Sequence, residues 1–263
     1  MKILKGEIIS NEKYGPDVYK MEVFSPYIVK NALPGQFLMV RCSSEDILDP
    51  LLRRPISIFN TEESFKVFSL LYLVKGRGTE FLSGLKKGDA LDFVGPLGKE
   101  CKLDYGTDVN NVLIGGGIGI APLYMIAKQL MKKGCRGTFI AGFRDSPYYG
   151  FDKDMIDLGI SHQIYCEKDL SRNIGLATDY LRDHIAEMDN SSVYCCGPKP
   201  MLAKIQDILK DQDIKVIGLL EEVMACGIGV CKGCAVKVKE KEGFGYKNVC
   251  SEGPSFDLKE VLF

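Results

Sequence analysis

The chain has 263 residues, 46% hydrophobic and 26% charged, which is the balance of a soluble globular protein with room for two or more domains. Its formal net charge of −1 gives no overall field toward nucleic acid or an anionic membrane, so neither is expected as a partner. The N-terminus lacks the apolar core of a signal peptide, and no apolar run approaches the roughly 18 residues of a membrane span, so we expect a cytoplasmic protein.

The first hundred residues alternate short strands with turns rich in glycine and proline. Their patterning has almost no helical period, apart from one helix predicted over residues 79–85. Regularly spaced short strands separated by such turns indicate an antiparallel barrel or sandwich. The predicted strands cover residues 2–10, 18–24, 36–42, 56–61, 64–74 and 90–94.

From about residue 110 the pattern changes to strands that alternate with amphipathic helices. Such alternation predicts a doubly wound parallel sheet with helices on both faces. The predicted strands cover residues 111–114, 137–143, 162–166 and 192–196, and the predicted helices cover 121–133, 177–186 and 199–211.

Four of the ten cysteines are crowded near the C-terminal end as Cys226-x4-Cys231-x2-Cys234, with Cys250 sixteen positions further on. A plant-type [2Fe–2S] cluster requires four thiolates at this kind of spacing. Three glycines in the same loop allow backbone N–H groups to turn toward the sulfur atoms. The pattern therefore predicts an iron–sulfur site, and a hairpin over residues 235–239 and 246–249 would bring Cys250 back to the loop.

A structural zinc site is the alternative, because zinc also takes four thiolates. Zinc ribbons usually pair two short Cys-x2–4-Cys units, whereas here three ligands share one glycine-rich loop and the fourth is separate. The spacing favours iron–sulfur. The other six cysteines are read as small buried residues, with one exception given below.

A glycine run at residues 115–119 follows a predicted strand and opens a helix, with Pro122 in the first turn. Such a junction binds phosphate groups, because glycine allows close approach and the helix N-terminus offers free N–H groups. The run does not match the G-x-G-x-x-G spacing of the Rossmann fingerprint, and a tight strand–helix turn is the alternative.

Two segments of the first hundred residues could contact a cofactor. In Arg54-Pro55-Ile56-Ser57, the arginine can bind a phosphate through two hydrogen bonds, and the serine can donate to a flavin ring nitrogen. The segment from Gly76 to Thr79 resembles an anion-binding turn at a helix start, with Thr79 predicted as the N-cap.

Together and in this order, these segments resemble the ferredoxin–NADP reductase superfamily over essentially the whole chain. Arg54-Pro55-Ile56-Ser57 looks like the flavin motif R-x-Y-S, with Ile56 in place of the aromatic residue. Residues 115–122 look like the nucleotide loop. The run at 196–201, CGPKPM, resembles the CGPxxM stretch, whose cysteine, here Cys196, is placed near the nicotinamide.

The C-terminal segment resembles that of a narrower group within this superfamily, the electron-transfer subunits of NAD-dependent dihydroorotate dehydrogenases. Residues 221–231 and 249–257 look like this group, which also has the RPIS form of the flavin motif. The resemblance implies FAD, one [2Fe–2S] cluster and NAD as cofactors. The implied FAD contacts are Arg54, Pro55, Ile56, Ser57, Leu71, Tyr72, Leu73, Gly78 and Thr79. The implied nucleotide loop is Gly115, Gly116, Gly117, Ile118 and Gly119, and the implied cluster ligands are Cys226, Cys231, Cys234 and Cys250.

The same resemblance implies a division of the chain into a flavin-binding β-barrel (1–100), an NAD-binding α/β domain (101–218) and a small cluster module (219–263). It also implies a partner, a catalytic dihydroorotate dehydrogenase subunit that carries FMN, in a heterotetramer with two copies of each chain. Electrons would pass from dihydroorotate to the partner's FMN, then to the cluster, to FAD and to NAD⁺.

Two other functions are consistent with the residues. One is the flavin subunit of an NAD(P)H:ferredoxin oxidoreductase or sulfide dehydrogenase, although related subunits there can carry Asp where this chain has Cys226. The other is a zinc-stabilised nucleotide-binding regulatory module without redox activity. Arg144, after the second strand of the α/β region, could bind a 2′-phosphate and favour NADP, and the alternative is a solvated loop residue, with NAD favoured by the resemblance. The only histidines, His162 and His184, are interpreted as ordinary structural residues, His184 as an exposed helix residue.

Overall fold

The computed structural model describes residues 1–44, 46–47, 49–106, 108–169 and 171–263. Within these residues, a closed six-stranded barrel is followed by a seven-stranded sheet and a two-stranded hairpin. The predicted fold class is confirmed. No helix in these ranges is long and apolar enough to cross a membrane.

The barrel is antiparallel throughout and closes where its first and last strands pair. Its inward residues alternate with outward ones, and rings such as Phe68 and Phe93, 5.4 Å apart, fill the interior. The barrel strands are β1 (Lys2–Gly15), β2 (Val18–Phe24), β3 (Phe37–Val40), β4 (Arg54–Glu62), β5 (Val67–Leu73) and β6 (Ala90–Leu97). Two helices accompany them, α1 (Pro26–Asn31) and α2 (Arg77–Gly84).

All six predicted barrel strands are present. The ends of β2 are as predicted, and the other five strands differ at one or both ends. The strand predicted over 36–42 is shorter, and the one predicted over 64–74 begins only at Val67, because residues 63–66 form a turn in which Lys66 has a positive φ of 56°. Helix α1 was not predicted. Its six residues, opened by Pro26, are too few to display a helical period.

The seven-stranded sheet has the order β10-β9-β8-β7-β11-β12-β15, and its first six strands are parallel. Helices cover both faces, as expected for a doubly wound sheet. The strands are β7 (Asn110–Gly116), β8 (Arg136–Phe143), β9 (Ser161–Cys166), β10 (Asn173–Ile174), β11 (Ser191–Cys196), β12 (Lys215–Leu219) and β15 (Ser255–Asp257). The helices are α3 (Ile120–Lys132), α4 (Phe151–Leu158), α5 (Asp179–His184) and α6 (Lys199–Leu209).

Four elements of this region were not predicted: α4, β10, β12 and β15. The sheet also departs from a purely parallel arrangement at one edge, because β15 pairs antiparallel with β12. Strand β15 belongs to the C-terminal segment, so its place beside β12 depends on a tertiary contact that local sequence does not encode. The helix predicted over 177–186 is shorter and ends in a 3-10 turn at Ile185–Glu187.

The C-terminal segment forms a cysteine-bearing loop, the hairpin β13 (Ala235–Lys239) and β14 (Phe244–Asn248), and the short helix α7 (Val249–Glu252). The predicted hairpin is confirmed. Residue Val249 at the start of α7 donates its backbone N–H to the Cys234 carbonyl over 3.0 Å, which brings Cys250 back to the loop.

The barrel and the large sheet are joined mainly through α3 and β4. The rings of Phe59 on β4 and Tyr124 on α3 are stacked with centroids 4.3 Å apart. One helical turn further on, the Lys128 ammonium donates to the Asn60 side chain and to the Thr61 carbonyl, each over 2.8 Å. The first residues of α3 and of β4 therefore lie on opposite walls of one cleft.

Candidate functional site

The main cleft, of about 490 Å³, lies between the barrel and the large sheet. The barrel contributes β4, β5 and the start of α2, and the sheet contributes residues near the start of α3 and after β12. A third contribution comes from the C-terminal segment. The lining residues are Phe37, Arg54, Pro55, Ile56, Ser57, Leu71, Tyr72, Leu73, Lys75, Thr79, Ile118, Ala121, Leu220, Glu221, Glu222, Val223, Met224 and Pro254.

Eight of the nine residues implied as FAD contacts line this cleft. They come together because β4 and β5 are neighbouring strands, so Arg54–Ser57 and Leu71–Leu73 share one wall. Tyr72 is fixed by a 2.9 Å hydrogen bond from its hydroxyl to the Asn11 side chain of β1. Gly78 does not line the cleft. A Cβ at Gly78 would lie 3.1 Å from the Cys42 Cβ and 3.4 Å from the Arg54 Nε, so this glycine allows α2 to pack against the arginine.

Thr79 is not the N-cap of α2, as the sequence predicted. The cap is Gly76, and Thr79 is the third residue of the helix. Its hydroxyl oxygen accepts from the backbone N–H of Lys75 over 2.9 Å and donates to the Gly76 carbonyl over 3.1 Å. The threonine thus closes the turn before the helix.

Three segments leave the large sheet from one row of paired residues. Gly115 of β7, Cys196 of β11 and Leu219 of β12 are in register at the carboxyl edge of the sheet, where β11 and β12 end and β7 ends one residue later. The glycine loop, the Gly197 turn and residues 220–224 therefore diverge from the same place. Ligands bind at such an edge in open α/β sheets.

Sequence reasoning missed the acidic wall of the cleft, Glu221 and Glu222. Burial raises the pKa of the Glu221 carboxyl, and the ammonium of Lys75 on the barrel side opposes that shift. Glu222 pairs with Lys199 at 2.5 Å. These residues were missed because β12 was not predicted. Residues that follow the carboxyl end of a sheet strand are expected at the ligand site, so predicting β12 would have indicated them.

A second cavity, of about 600 Å³, lies on the other side of the glycine loop, at the carboxyl ends of β8 and β9. Gly116 and Gly117 line it, whereas Ile118 lines the main cleft. Gly115 and Gly119 line neither. A Cβ at Gly119 would lie 2.3 Å from the Cys196 carbonyl oxygen, so the loop can cross β11 only with glycine there.

Cys196 lies under this loop and is 1% exposed. Burial, with a contribution from the nearby Glu221 carboxylate, holds the pKa of its thiol well above the usual range. The thiol therefore stays protonated at neutral pH and is a poor nucleophile.

The four clustered cysteines form two pairs. In one pair the Cys231 backbone N–H donates to the Cys226 Sγ over 3.4 Å, and in the other the Cys250 backbone N–H donates to the Cys234 Sγ over 3.4 Å. Cys231 is exposed, whereas Cys234 and Cys250 are each 2% exposed. No three His, Cys, Asp or Glu side chains among the described residues converge on a single ion site. Two thiol pairs match a two-iron cluster, in which each iron takes two protein sulfurs.

Backbone N–H groups of the loop point at the sulfurs. The Gly229 N–H lies 3.1 Å from the Cys250 Sγ, and the Cys231 N–H lies 3.4 Å from the Cys226 Sγ. The N–H of Cys231, with that of Ile228, lowers the pKa of the Cys226 thiol to about 6, while burial raises that of Cys250 to about 11. Metal binding at Cys250 must therefore release a proton.

The histidines lie outside both cavities. His162 Nε2 is 3.2 Å from an Asp152 oxygen at the outer part of the sheet. His184 is half-buried rather than exposed, because its ring stacks on Tyr180 with centroids 4.2 Å apart. Neither residue can supply acid–base chemistry at the main cleft.

The barrel, the large sheet and the cleft between them define a flavin- and nicotinamide-dependent oxidoreductase of the ferredoxin reductase fold. Residues 113–207 match the family model of the oxidoreductase NAD-binding domain. Ferredoxin-NADP⁺ reductase from Plasmodium falciparum, as its H286L mutant, has this fold, with a TM-score of 0.64 and 18% identity over 82% of this chain and 96% of that one.

Residues 221–262 match the iron–sulfur cluster binding domain of dihydroorotate dehydrogenase B. Over 99% of this chain and 98% of the relative, the chain is 38% identical to the dihydroorotate dehydrogenase B (NAD(+)) electron transfer subunit of Caldanaerobacter subterraneus subsp. tengcongensis. The same subunit of Listeria innocua is 37% identical over 97% of both chains. The chain belongs to this family of electron transfer subunits, and the iron–sulfur match decides against the zinc alternative.

One solved structure is similar over nearly the whole chain. It is the structure of an NADH-dependent reduced ferredoxin-NADP oxidoreductase, a protein described in the context of flavin-based electron bifurcation. The TM-score is 0.86 at 28% identity, covering 98% of this chain and 89% of that one.

Proposed function

We propose that the chain transfers electrons between NAD and the FMN of a catalytic dihydroorotate dehydrogenase subunit, as part of pyrimidine biosynthesis. It is an oxidoreductase subunit that uses FAD, a [2Fe–2S] cluster and NAD. The observation that carries the proposal is the arrangement of two thiol pairs beside a cleft walled by the RPIS segment, in a chain that matches the family over its full length.

Bound FAD exchanges electron pairs with nicotinamide and single electrons with an iron–sulfur centre, so it links the two kinds of transfer. The chain's part is to hold these groups. Arg54 and Ser57 wall the main cleft, where the guanidinium can bind a flavin phosphate and the hydroxyl can donate to the ring. The apolar wall of Leu71 to Leu73 excludes water from the ring face.

The glycine loop would hold the pyrophosphate of NAD. The 3-10 turn at Gly117–Gly119, just before α3, would provide N–H donors. The nicotinamide would then enter the main cleft past Ile118. Glu221 lines that cleft, and Cys196 lies buried beside it at the end of β11, under the glycine loop. We assign Cys196 to positioning the nicotinamide ring.

The cluster ligands in this proposal are Cys226, Cys231, Cys234 and Cys250. Met224, two residues before Cys226, lines the main cleft, so only a short run of backbone separates the cleft from the first ligand. In the same loop as the exposed Cys231, two apolar side chains are also exposed, Val230 at 74% and Ile228 at 46%. Such an apolar surface supports a contact with the catalytic subunit at this position. Two copies of each chain would form the complex.

The proposed division into three parts is 1–100 for FAD, 101–218 for NAD and 219–263 for the cluster. The closed barrel and the start of the iron–sulfur match at residue 221 support these boundaries, and β12 extends one residue beyond the second part. The parts are not independent, because β15 of the last part completes the sheet of the second.

The decisive experiment combines composition with two activities. Anaerobically prepared protein should contain one FAD, two irons and two acid-labile sulfides per chain, with flavin absorption peaks above a broad iron–sulfur background. It should oxidise NADH with ferricyanide when alone, and it should support orotate formation with NAD⁺ only when mixed with the catalytic subunit. Protein free of iron and sulfide, or active with ferricyanide but inert toward the catalytic subunit, contradicts the proposal.

A second candidate function is a subunit of an NAD(P)H:ferredoxin oxidoreductase. It is supported by the similarity to the NADH-dependent reduced ferredoxin-NADP oxidoreductase structure. Reduction of ferredoxin at a rate equal to that of the catalytic subunit would favour this candidate. Co-purification from the native cell of an FMN protein that forms orotate would favour the first.

A further inference from the structure

The two cavities on either side of the glycine loop divide a dinucleotide into its halves. The nicotinamide must reach the flavin in the main cleft, which Ile118 and Ala121 line. If the pyrophosphate binds at the glycine loop, the adenosine half must extend away from the main cleft. It then enters the second cavity past Gly116 and Gly117. This assignment depends on the proposed function.

Two charged residues of opposite sign stand side by side in that second cavity. Arg144 directly follows β8 and Glu167 directly follows β9, and both line the cavity. The strands are neighbours in register up to Phe143 and Cys166, and the Glu167 N–H donates to the Phe143 carbonyl over 3.3 Å. No hydrogen bond or ion pair joins the Glu167 carboxylate to any other residue in the described part of the chain.

The other cations of the cavity are already near carboxylates. Arg182 donates to an Asp179 oxygen over 3.0 Å, and the Lys204 ammonium lies 3.9 Å from an Asp207 oxygen. The charge that an incoming ligand meets at the strand ends is therefore set by Arg144 and Glu167.

We propose that Glu167 selects the dinucleotide without a 2′-phosphate. A carboxylate only accepts hydrogen bonds, and the 2′- and 3′-hydroxyls of adenosine ribose are donors that suit it. A 2′-phosphate in the same place brings a second anion against the carboxylate, whose repulsion offsets the attraction of Arg144. The arginine that could favour NADP by itself is thus overridden by the residue one strand away.

The experiment compares kcat/KM for NADH and NADPH with ferricyanide as acceptor. Glu167→Gln keeps the shape and one accepting oxygen but removes the charge. We expect it to lower the KM for NADPH and to raise the KM for NADH a few-fold, because the charged acceptor of the ribose hydroxyls is lost. The NADH/NADPH preference should fall by about tenfold or more. Adding Arg144→Gln to this variant should reverse the gain with NADPH, because Arg144 is then the residue that binds the 2′-phosphate.

Asp145→Asn is the matched control. Asp145 is exposed, pairs with Lys168 at 2.5 Å and does not line the cavity, so losing its charge should leave the preference unchanged. An unchanged preference in Glu167→Gln, or an equal change in Asp145→Asn, overturns the inference while NADH oxidation upholds the proposed function. Oxidation of neither nucleotide by protein that contains FAD overturns both.

Discussion

The main cleft and the cluster loop differ in how their shapes are fixed. The cleft is walled by residues from β3, β4, β5, α2, the start of α3 and the stretch after β12, so at least six segments share its geometry. The cluster loop is a single irregular stretch, residues 225–234, whose shape depends on positive φ angles at Gly227, Gly229 and Lys232. The shape of the main cleft is fixed by tertiary packing. The shape of the cluster loop depends on its own backbone conformation and, when the cluster is bound, on the metal.

This difference determines how each site should respond to substitution. In the cleft, removal of one contact leaves the remaining walls in place, so losses should be graded. In the cluster loop, each thiol supplies one of the two protein ligands of an iron. The residues with a positive φ tolerate few substitutions. Losses there should be nearly complete and should spare the cleft.

The largest effect is expected for Cys226→Ser. Loss of one thiolate should remove the cluster and lower electron transfer to the catalytic subunit by about a hundredfold or more. NADH oxidation with ferricyanide should stay largely intact, because the cleft does not use this sulfur. Iron content and both activities check the prediction, and Cys135→Ser, at a buried cysteine outside both sites, is the control. An equal loss of both activities would contradict the order of carriers.

The next largest effect is expected for Gly227→Ala. A Cβ there would lie 2.5 Å from the Met39 Cγ of β3, at a φ of +70°, so strain and overpacking together should cost about 2–4 kcal/mol. Gly243→Ala is a matched control, since its φ is +85° but nothing lies within 4 Å of the added carbon. We expect lower iron content and a lower Tm for the first variant only. Equal shifts would show that backbone strain alone accounts for the loss.

A smaller effect is expected in the cleft for Arg54→Gln. The guanidinium lines the cleft and also donates to the Leu52 carbonyl over 2.6 Å, so its loss should weaken FAD binding by about tenfold, a graded change, and leave the cluster intact. Fluorescence titration of the FAD-free protein measures this. Arg77→Gln is the control, because Arg77 is highly exposed, pairs with Asp49 and does not line the cleft. Unchanged FAD affinity in Arg54→Gln would remove the arginine from the flavin site.

The smallest effect is expected for Lys128→Met, which loosens the contact between α3 and β4. FAD content should be normal, but the distance between the glycine loop and the flavin wall would be held less firmly, so flavin reduction by NADH should slow about three- to tenfold. Stopped-flow bleaching of the flavin absorbance provides the readout. Lys132→Met, one turn further along the same helix and exposed, should leave the rate unchanged. A normal rate in Lys128→Met would show that the stack of Phe59 on Tyr124 suffices.

The local signals in the sequence were sufficient for the barrel, the glycine loop and the pairing of Cys250 with the loop. Each depends on residues close in the chain: turn glycines, a strand followed by a helix, or a fixed cysteine spacing. The role of Thr79 was misread, because a threonine in the first turn looks the same whether it is the cap or the third helical residue.

The acidic wall and the edge of the sheet could not be predicted in this way. Glu221 matters because β12 places it beside Cys196, and β12 is a five-residue strand that local periodicity does not distinguish from a loop. Pro254 and β15 reach the site and the sheet from the far end of the chain. Their positions follow from packing between segments that are distant in sequence.

The three residues of β15 also close the exposed side of the nucleotide sheet. They pair antiparallel with Ile217 to Leu219 of β12, whose backbone groups would otherwise be open on that side. If a gene rearrangement removed about the last 45 residues, β12 would become an exposed hydrophobic edge strand. The chain would then be prone to self-association through this edge. The cluster part, residues 219–263, therefore also completes the nucleotide-binding sheet. We expect the two parts to be inherited together rather than exchanged as separate domains.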